Sequence, residues 1–380
     1  MIRTGHAPSS APRPDATSSG QGKNQASSAP PAQPARSQRA ASGLPWRGSF
    51  PWRSHDPGEP CRLVGRHDRG DCRPSSRERL SIEPRPCSEN GVANMPTKAF
   101  LALVRLRYHA GMSTVTAPTI HCIPVLADNY VWLIEGADRA TVIVDAGEAG
   151  PIIEAIESRG LKPVATLITH HHGDHVQGLG ELTRRFPMPV YGPDSCRRVG
   201  VDTVVGEGDR FTIPQVGEFA VMATPGHTQD HLSFINGQAI FCGDTLFTAG
   251  CGRLFEGTAA QMLHSLARLA DAADAIGDGA TIYCGHEYTT DSLRFAAHAE
   301  PDNADIAARV REVAAMRAKG EPTASASMDL EKRTNPFLRI REPVLRRAVE
   351  AYVGDTIEND IEAFAQLRHW KDDFDGLARL

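Results

Sequence analysis

The stretch "THHHGDH", Thr169 to His175, puts four histidines and an aspartate into seven positions directly after the apolar run "VATLI". A solvated loop has no reason to carry imidazoles at that density. His170 and His172 stand two apart, so in extended backbone both point to one side. Asp174 and His175 follow where the chain turns towards helical spacing, so the segment presents ligands in two directions. It is not the i, i+4 pair of a helical H-E-x-x-H motif. One zinc takes three or four ligands, so this cluster suits a shared two-metal site and needs further ligands from elsewhere. The chain must therefore fold so that distant segments converge on this one.

Those ligands occur downstream, each where a strand-like run gives way to glycine: His227 in "ATPGHT", Asp244 in "FCGDTLF" and His286 in "YCGHEY". Glycine and small residues let such loops approach closely. Loops carried by a rigid sheet are a common place for site residues. Imidazole and carboxylate ligands suit zinc, iron or manganese and not a soft thiolate metal. Any one of these histidines alone reads as a surface or hydrogen-bonded residue, and His109, His264, His298 and His369 stay in that class. The ordered set does not. His171 reads as a bystander or as support behind the ligands, and Cys242, Cys251 and Cys284 as small buried residues.

The frame is legible around these motifs. From Met112 strand-like and helical patterns alternate: "TIHCIPVL", "YVWLIEG", "ATVIVDAG", the helix "GPIIEAIESRG", "PVATLITH", then helical spacing at Val176, Leu179, Leu182 and Phe186. "FAVMATPGHT", "LSFI", "AIFCGDTLF" and "ATIYCGHEY" continue the strands, with the helix "TAAQMLHSLARLADAAD" before the last. After Tyr288 the strands stop, and "DSLRFAAHAE", "DNADIAARVREVAAMRAKG", "EPVLRRAVEAYV" and "ENDIEAFAQLRHWKDDF" read as helices. The division is thus an α/β layered body over 112–286 and an all-helical region over 287–380.

Residues 1–111 differ. Ser, Pro, Ala, Gly, Gln and Arg dominate, as in "SAPPAQPARSQRAASG", without a sustained period. Such a segment cannot bury enough apolar surface to offset its ordering entropy, so a disordered leader is expected, with Met112 as the functional start. The leader carries 17 Lys and Arg against 8 Asp and Glu, a net of +9, which leaves −14 for 112–380. An acidic body repels phosphate backbones, so nucleic acid is not an expected partner. No run of 18 apolar residues occurs, so no membrane partner is expected either. Of the 8 cysteines, five lie in the body and none forms a C-x-x-C pair, which points to reduced thiols in a cytoplasmic compartment.

The order T-H-x-H-x-D-H, P-G-H-T, G-D-T-L-F, C-G-H-E-Y resembles the metallo-β-lactamase superfamily and, within it, the glyoxalase II (hydroxyacylglutathione hydrolase) family, over roughly Ile120 to Phe374. The resemblance implies an αββα four-layer sandwich with a C-terminal helical, glutathione-binding domain. It implies two divalent metal ions per chain, zinc foremost, with iron or manganese also suited to the ligands. His170, His172 and His227 correspond to the first metal's ligands, Asp174, His175 and His286 to the second's, and Asp244 to the bridging carboxylate; Asp174 and Asp244 are the expected catalytic carboxylates. Arg253, Tyr288, Arg368 and Lys371 correspond to glutathione contacts. Some relatives carry Tyr where Phe255 stands, and Phe has no hydroxyl to donate. On spacing alone Arg368 and Lys371 read as a solvated helix face; only the resemblance makes them ligand contacts.

The implied reaction is hydrolysis of S-(2-hydroxyacyl)glutathione, chiefly S-D-lactoylglutathione to D-lactate and glutathione, by hydroxide held between the metals, the second step of methylglyoxal detoxification. The expected partner is this small-molecule thioester and the expected state a monomer. Alternatives stay open: a mononuclear-iron persulfide dioxygenase, another hydrolase of this fold, or a metal-binding scaffold. A β-lactamase with Cys at the third strand-end position differs from Asp244. A nuclease does not suit a net of −14. A dead site would be expected to have lost a ligand, and none is lost.

Overall fold

A computed structural model describes residues 118–377. The leader expected over 1–111 and the start expected at Met112 lie outside the described residues. Strands β1 (Thr119–Val125), β2 (Asn129–Glu135) and β3 (Ala140–Val144) pair antiparallel; β4 (Lys162–Leu167), β5 (Val190–Gly192) and β6 (Thr203–Val204) extend the sheet in parallel, in the order β1-β2-β3-β4-β5-β6. A second sheet is built from β7 (Arg210–Ile213), β8 (Gly217–Ala223), β9 (Leu232–Asn236) and β10 (Ala239–Gly243). After a short hairpin of β11 (Leu246–Phe247) and β12 (Gly250–Cys251), β13 (Thr281–Cys284) joins β10 in parallel, and β14 (Ser325–Ser327) closes the edge.

Period-2 alternation stacks the layers. In β2, Tyr130, Trp132 and Ile134 share a buried cluster with Phe219, Phe234 and Phe241 of the second sheet. Their neighbours Val131 and Leu133 face the other way, against Ile152 and Ile156 of helix α1 (Ala149–Arg159). The helical spacing expected from Val176 to Phe186 is broken into α2 (Gly173–Val176) and α3 (Leu179–Arg185). Gly178 lies between them, and a Cβ there would meet Ala149 N at 2.6 Å and Ala146 O at 2.9 Å. The chain bends because it must pass this close to the turn after β3. Helix α4 (Ala259–Ile276) opens with a capping box of Thr258 and Gln261 and buries Met262, Leu266 and Leu269 with the second sheet's core.

The C-terminal region holds α5 (Thr289–Ala299), α6 (Ala304–Ala318), α7 (Met328–Thr334), α8 (Pro343–Val353) and α9 (Asp360–Leu377). It is helical except for β14, which sequence periodicity missed: three residues are too short to show alternation. Phe364 and Leu367 of α9 are fully buried in the same cluster as Met262 of α4, so this region shares the core of the sandwich. A buried polar knot fixes it to the hairpin. Glu331 of α7, fully buried, accepts from Ala249 N at 2.8 Å and Asn335 Nδ2 at 2.9 Å and pairs with Arg309. Asn335 Nδ2 also donates to the carbonyls of Phe247 and Gly250, at 3.1 and 2.9 Å. Among the described residues, no helix is long and apolar enough to cross a membrane.

Candidate metal centre

The cluster sits where strands end. His170 and His172 follow β4, Asp174 and His175 lie in α2, His227 follows β8, Asp244 follows β10 and His286 follows β13. The two sheets meet here through Tyr130 N donating to Gly285 O at 2.7 Å and Leu232 N to Thr169 O at 2.9 Å. Close approach requires glycine: a Cβ on Gly285 would meet Asp244 Oδ1 at 2.5 Å and His175 Cε1 at 2.8 Å.

Every metal-ligand candidate from the sequence is brought together. His172 Nδ1 lies 3.1 Å from His170 Nε2 and 3.0 Å from His227 Nε2. His175 Nε2 lies 3.3 Å from His286 Nε2, and Asp174 Oδ2 lies 3.5 and 3.3 Å from the same two nitrogens. Asp244 stands between the groups, with Oδ1 3.4 Å from His175 Nε2 and Oδ2 3.4 and 3.2 Å from the Nε2 atoms of His227 and His286. His171 points elsewhere, to Glu256 at 3.0 Å and Asp230 at 3.6 Å.

The hydrogen bonds behind the rings fix their tautomers. His175 Nδ1 donates to Asp145 at 2.9 Å, His286 Nδ1 to Asp128 at 2.9 Å and His227 Nδ1 to the Arg253 carbonyl at 2.9 Å. In the neutral rings each Nε2 is then a lone pair aimed at other lone pairs and at carboxylates. Asp244 Oδ1 is buried with no hydrogen-bond partner. Lone pairs and carboxylates do not converge this closely unless a cation lies among them, so the residues fit divalent metal.

The two halves differ in charge. Burial pushes His170, His172 and His227 below the usual histidine range, so they are neutral donors. Burial would lower His175 too, but Asp244 and Asp145 overrule it and push it up to about 10. For His286 the same contest with burial is won by Asp244, Asp128 and Asp174, again upward. Burial opposes ionisation of Asp244, yet His286 and His175 hold it well below the carboxylate range. The second half thus demands positive charge.

The cluster opens into a cavity of about 540 Å³. Arg253, Tyr288, Arg368 and Lys371 line it, as does Phe255. Arg368 and Lys371 are each 5% exposed, which a solvated helix face would not give. Arg368 also donates to the Cys251 carbonyl at 2.9 Å and lies over the Phe337 ring at 5.0 Å. Phe255 is 63% exposed and packs edge-on to His172 and tilted against His227, contributing no hydroxyl.

Comparison with known proteins agrees with this arrangement. The family model described as metallo-beta-lactamase superfamily matches residues 126–286, and that described as hydroxyacylglutathione hydrolase C-terminus matches 287–374. A hydroxyacylglutathione hydrolase of Xanthomonas campestris pv. campestris is 43% identical over 253 residues, 66% of this chain and 97% of the relative. That of Xylella fastidiosa is 45% identical over 253 residues, 66% of this chain and 96% of the relative. This chain belongs to the hydroxyacylglutathione hydrolase family. Among solved structures, the BLEG-1 B3 metallo-beta-lactamase is 21% identical with a TM-score of 0.45, covering 58% of this chain and 99% of that one. The histidine–aspartate cluster is the divalent-metal site of a metal-dependent hydrolase.

Sequence reasoning missed the residues behind the ligands. Asp145 falls at the end of the strand-like run "ATVIVDAG". It accepts from His175 Nδ1, from Thr169 N at 2.8 Å and from the Thr169 hydroxyl, at a positive φ of 64°. Asp128 lies in the turn between β1 and β2 and fixes His286. His231, fully buried, accepts from Asp244 N at 3.1 Å and stays neutral because burial drives it down. Partners that orient metal-bound histidines typically contribute 10- to 100-fold in metal affinity or activity. Asp145→Asn is expected to lower kcat by about 10- to 100-fold with a matching loss of metal affinity. Chelator competition on the purified variant checks this; unchanged affinity would remove Asp145 from the centre.

Proposed function

We propose that this chain hydrolyses S-(2-hydroxyacyl)glutathione thioesters, chiefly S-D-lactoylglutathione to D-lactate and glutathione. The carrying observation is that buried Arg368 and Lys371 share one cavity with the metal-binding cluster. A metal cluster alone suits any hydrolase of the fold. Buried cations beside it select a substrate with carboxylates away from the reacting bond, which glutathione has. The relatives named hydroxyacylglutathione hydrolase support the same substrate.

We assign His170, His172 and His227 to one divalent ion and Asp174, His175 and His286 to a second, with Asp244 shared; zinc is the first choice, and iron or manganese suits the same donors. Such ions act as Lewis acids and bring the pKa of water from about 15.7 to about 7. Arg253, Arg368 and Lys371 hold glutathione at its glycine carboxylate and fix the thioester over the cluster. Tyr288 stacks on His286 at 4.7 Å, and burial raises its pKa, so it remains a phenol able to donate a hydrogen bond. Asp174 lines the cavity. Burial would raise its pKa, but His286 and His175 hold it ionised, so it can orient the attacking water by accepting a hydrogen bond, while the proton passes to solvent. Water adds to the thioester carbonyl and the C–S bond breaks. The thiolate needs little protonation, since thiol pKa values lie near 8.5. A protein thiol does not compete as nucleophile: burial pushes Cys251 up to about 11 and Cys284 up to about 12.

This reading divides the chain into catalytic residues 112–286 and glutathione-binding residues 287–380, acting as a cytoplasmic monomer whose site is complete within one chain. Its free cysteines suit a reducing compartment. A chain beginning at Met112 is expected to keep full turnover and melting temperature, measured beside the 380-residue chain; a large loss in either would assign the leader a role.

The substrate assignment is tested by Lys371→Met. A contact made equally to substrate and transition state affects KM and spares kcat. A charge-assisted hydrogen bond contributes about 1.5–3 kcal/mol, so KM for the glutathione thioester should rise roughly tenfold or more at near-constant kcat. A simple thioester lacking glutathione should be unaffected. Arg368→Ala should add a lower melting temperature, because it also frees the Cys251 carbonyl. Equal losses on both thioesters for Lys371→Met would contradict the assignment.

A further inference from the structure

The cavity carries a carboxylate that this chemistry leaves unused. Asp291 lies in the first turn of α5 with Arg294 one turn later, and both line the cavity. Tyr288, Asp291 and Arg294 are three apart, so they form one stripe leading away from His286, on which Tyr288 stacks. A helical rise of about 1.5 Å per residue puts Asp291 about 5 Å and Arg294 about 9 Å beyond Tyr288 along the axis. The γ-glutamyl arm, joined through its side chain, extends about two residue lengths or roughly 7 Å from the central cysteine, and the side chains of Asp291 and Arg294 reach into the same cavity, so both lie within reach of that end of glutathione when its sulfur is at the cluster.

Other carboxylates at this end are committed. Asp372 faces Arg368 at 3.2 Å and Arg253 at 3.3 Å, and Asp375 is hydrogen-bonded to Lys371. Asp291 has Arg294 at 3.3 Å, with side chains 67% and 56% exposed. Such an exposed pair contributes little to stability and exchanges readily with water. Asp291 is nonetheless felt inside the cavity: burial pushes the Lys371 ammonium down, while Asp375 and, more weakly, Asp291 oppose that shift.

We propose that Asp291 and Arg294 are the subsite for the zwitterionic end of the γ-glutamyl group, Asp291 accepting from its α-ammonium and Arg294 donating to its α-carboxylate. This rests on the glutathione-thioester reading. Glutathione has two carboxylates and one ammonium. The buried cations answer carboxylates, and only an anion answers the ammonium. An opposed pair on one helix face matches an amino-acid zwitterion with charges reversed, and the solvated Asp291–Arg294 pair loses little when it re-pairs with the ligand.

The test compares the lactoyl thioesters of glutathione and of glutaryl-Cys-Gly, which lacks only the α-amino group, on the metal-loaded full chain. Wild type should show roughly fivefold higher KM for the glutaryl analogue at equal kcat. Asp291→Asn should raise KM for the glutathione thioester by about the same factor and leave the analogue unchanged. Arg294→Gln should raise KM for both. Both side chains are exposed, so unchanged melting temperatures are the control for folding. Equal KM values for the two thioesters in wild type, or an Asp291→Asn effect that is absent or equal on both, would overturn the subsite while leaving the hydrolase reading intact. Failure of wild type to turn over either thioester overturns both.

Discussion

Asp244→Ala is expected to lose metal and to lower turnover by about a thousandfold or more. Changes to residues merely orienting metal ligands already cost 10- to 100-fold, and Asp244 is closer to the chemistry than they are. Its two oxygens reach both halves of the cluster, 3.4 Å from His175 and from His227 and 3.2 Å from His286. Its carboxylate thus stands where both halves meet. One oxygen is buried with no protein partner, so its ionised form is held for a cation. Elemental analysis should show the metal content of the variant falling with kcat. Asp244→Asn keeps the shape and loses the charge, and should follow Asp244→Ala. A variant with full metal content and activity would remove Asp244 from the bridging position.

The second large effect is on stability. Glu331→Ala leaves the Arg309 guanidinium, 3% exposed, without its carboxylate. Breaking a buried pair from one side costs about 3–5 kcal/mol, because a charge remains buried and unpaired. In a domain of this size each kcal/mol corresponds to about 2–4 °C, so the melting temperature should fall by roughly 10 °C. The double change Glu331→Leu with Arg309→Met removes both charges and should recover much of the loss. The knot also holds the β11–β12 hairpin through Ala249 N, so the single variant should show a raised KM as well. A drop of only a degree or two would show that water reaches the site and that the pair is not buried in solution.

The strands that carry ligands were legible because each contains an apolar run that gives way to a polar, ligand-bearing loop. β8, β10 and β13 give way to glycine in this manner, β4 runs straight into the histidines, and the histidines and aspartates that follow all four mark the site by density alone. The short strands β5, β6 and β14 were not legible, since two or three residues cannot show a period. Helix α7 was missed for a related reason: it is short, and its most informative buried residue is the charged Glu331, which sequence patterns place on a surface. Asp145 and Asp128 were missed because an aspartate in a strand-end turn has an adequate local explanation. Their roles arise only when segments 30 and 158 residues away fold against them. Arg368 and Lys371 were ambiguous from spacing, because one helix face looks the same whether it meets water or a cavity wall.

A metal-dependent hydrolase directed at glutathione thioesters must release both products without consuming oxygen. Turnover of S-D-lactoylglutathione by the purified full chain tests this, with D-lactate, free glutathione and oxygen followed together and metal determined on the same sample. One D-lactate and one glutathione are expected per thioester consumed, with no oxygen uptake and a metal content approaching two per chain. A metal-loaded sample that leaves the thioester intact, or one that holds a single iron and consumes oxygen during turnover of a glutathione persulfide, would contradict the hydrolase reading.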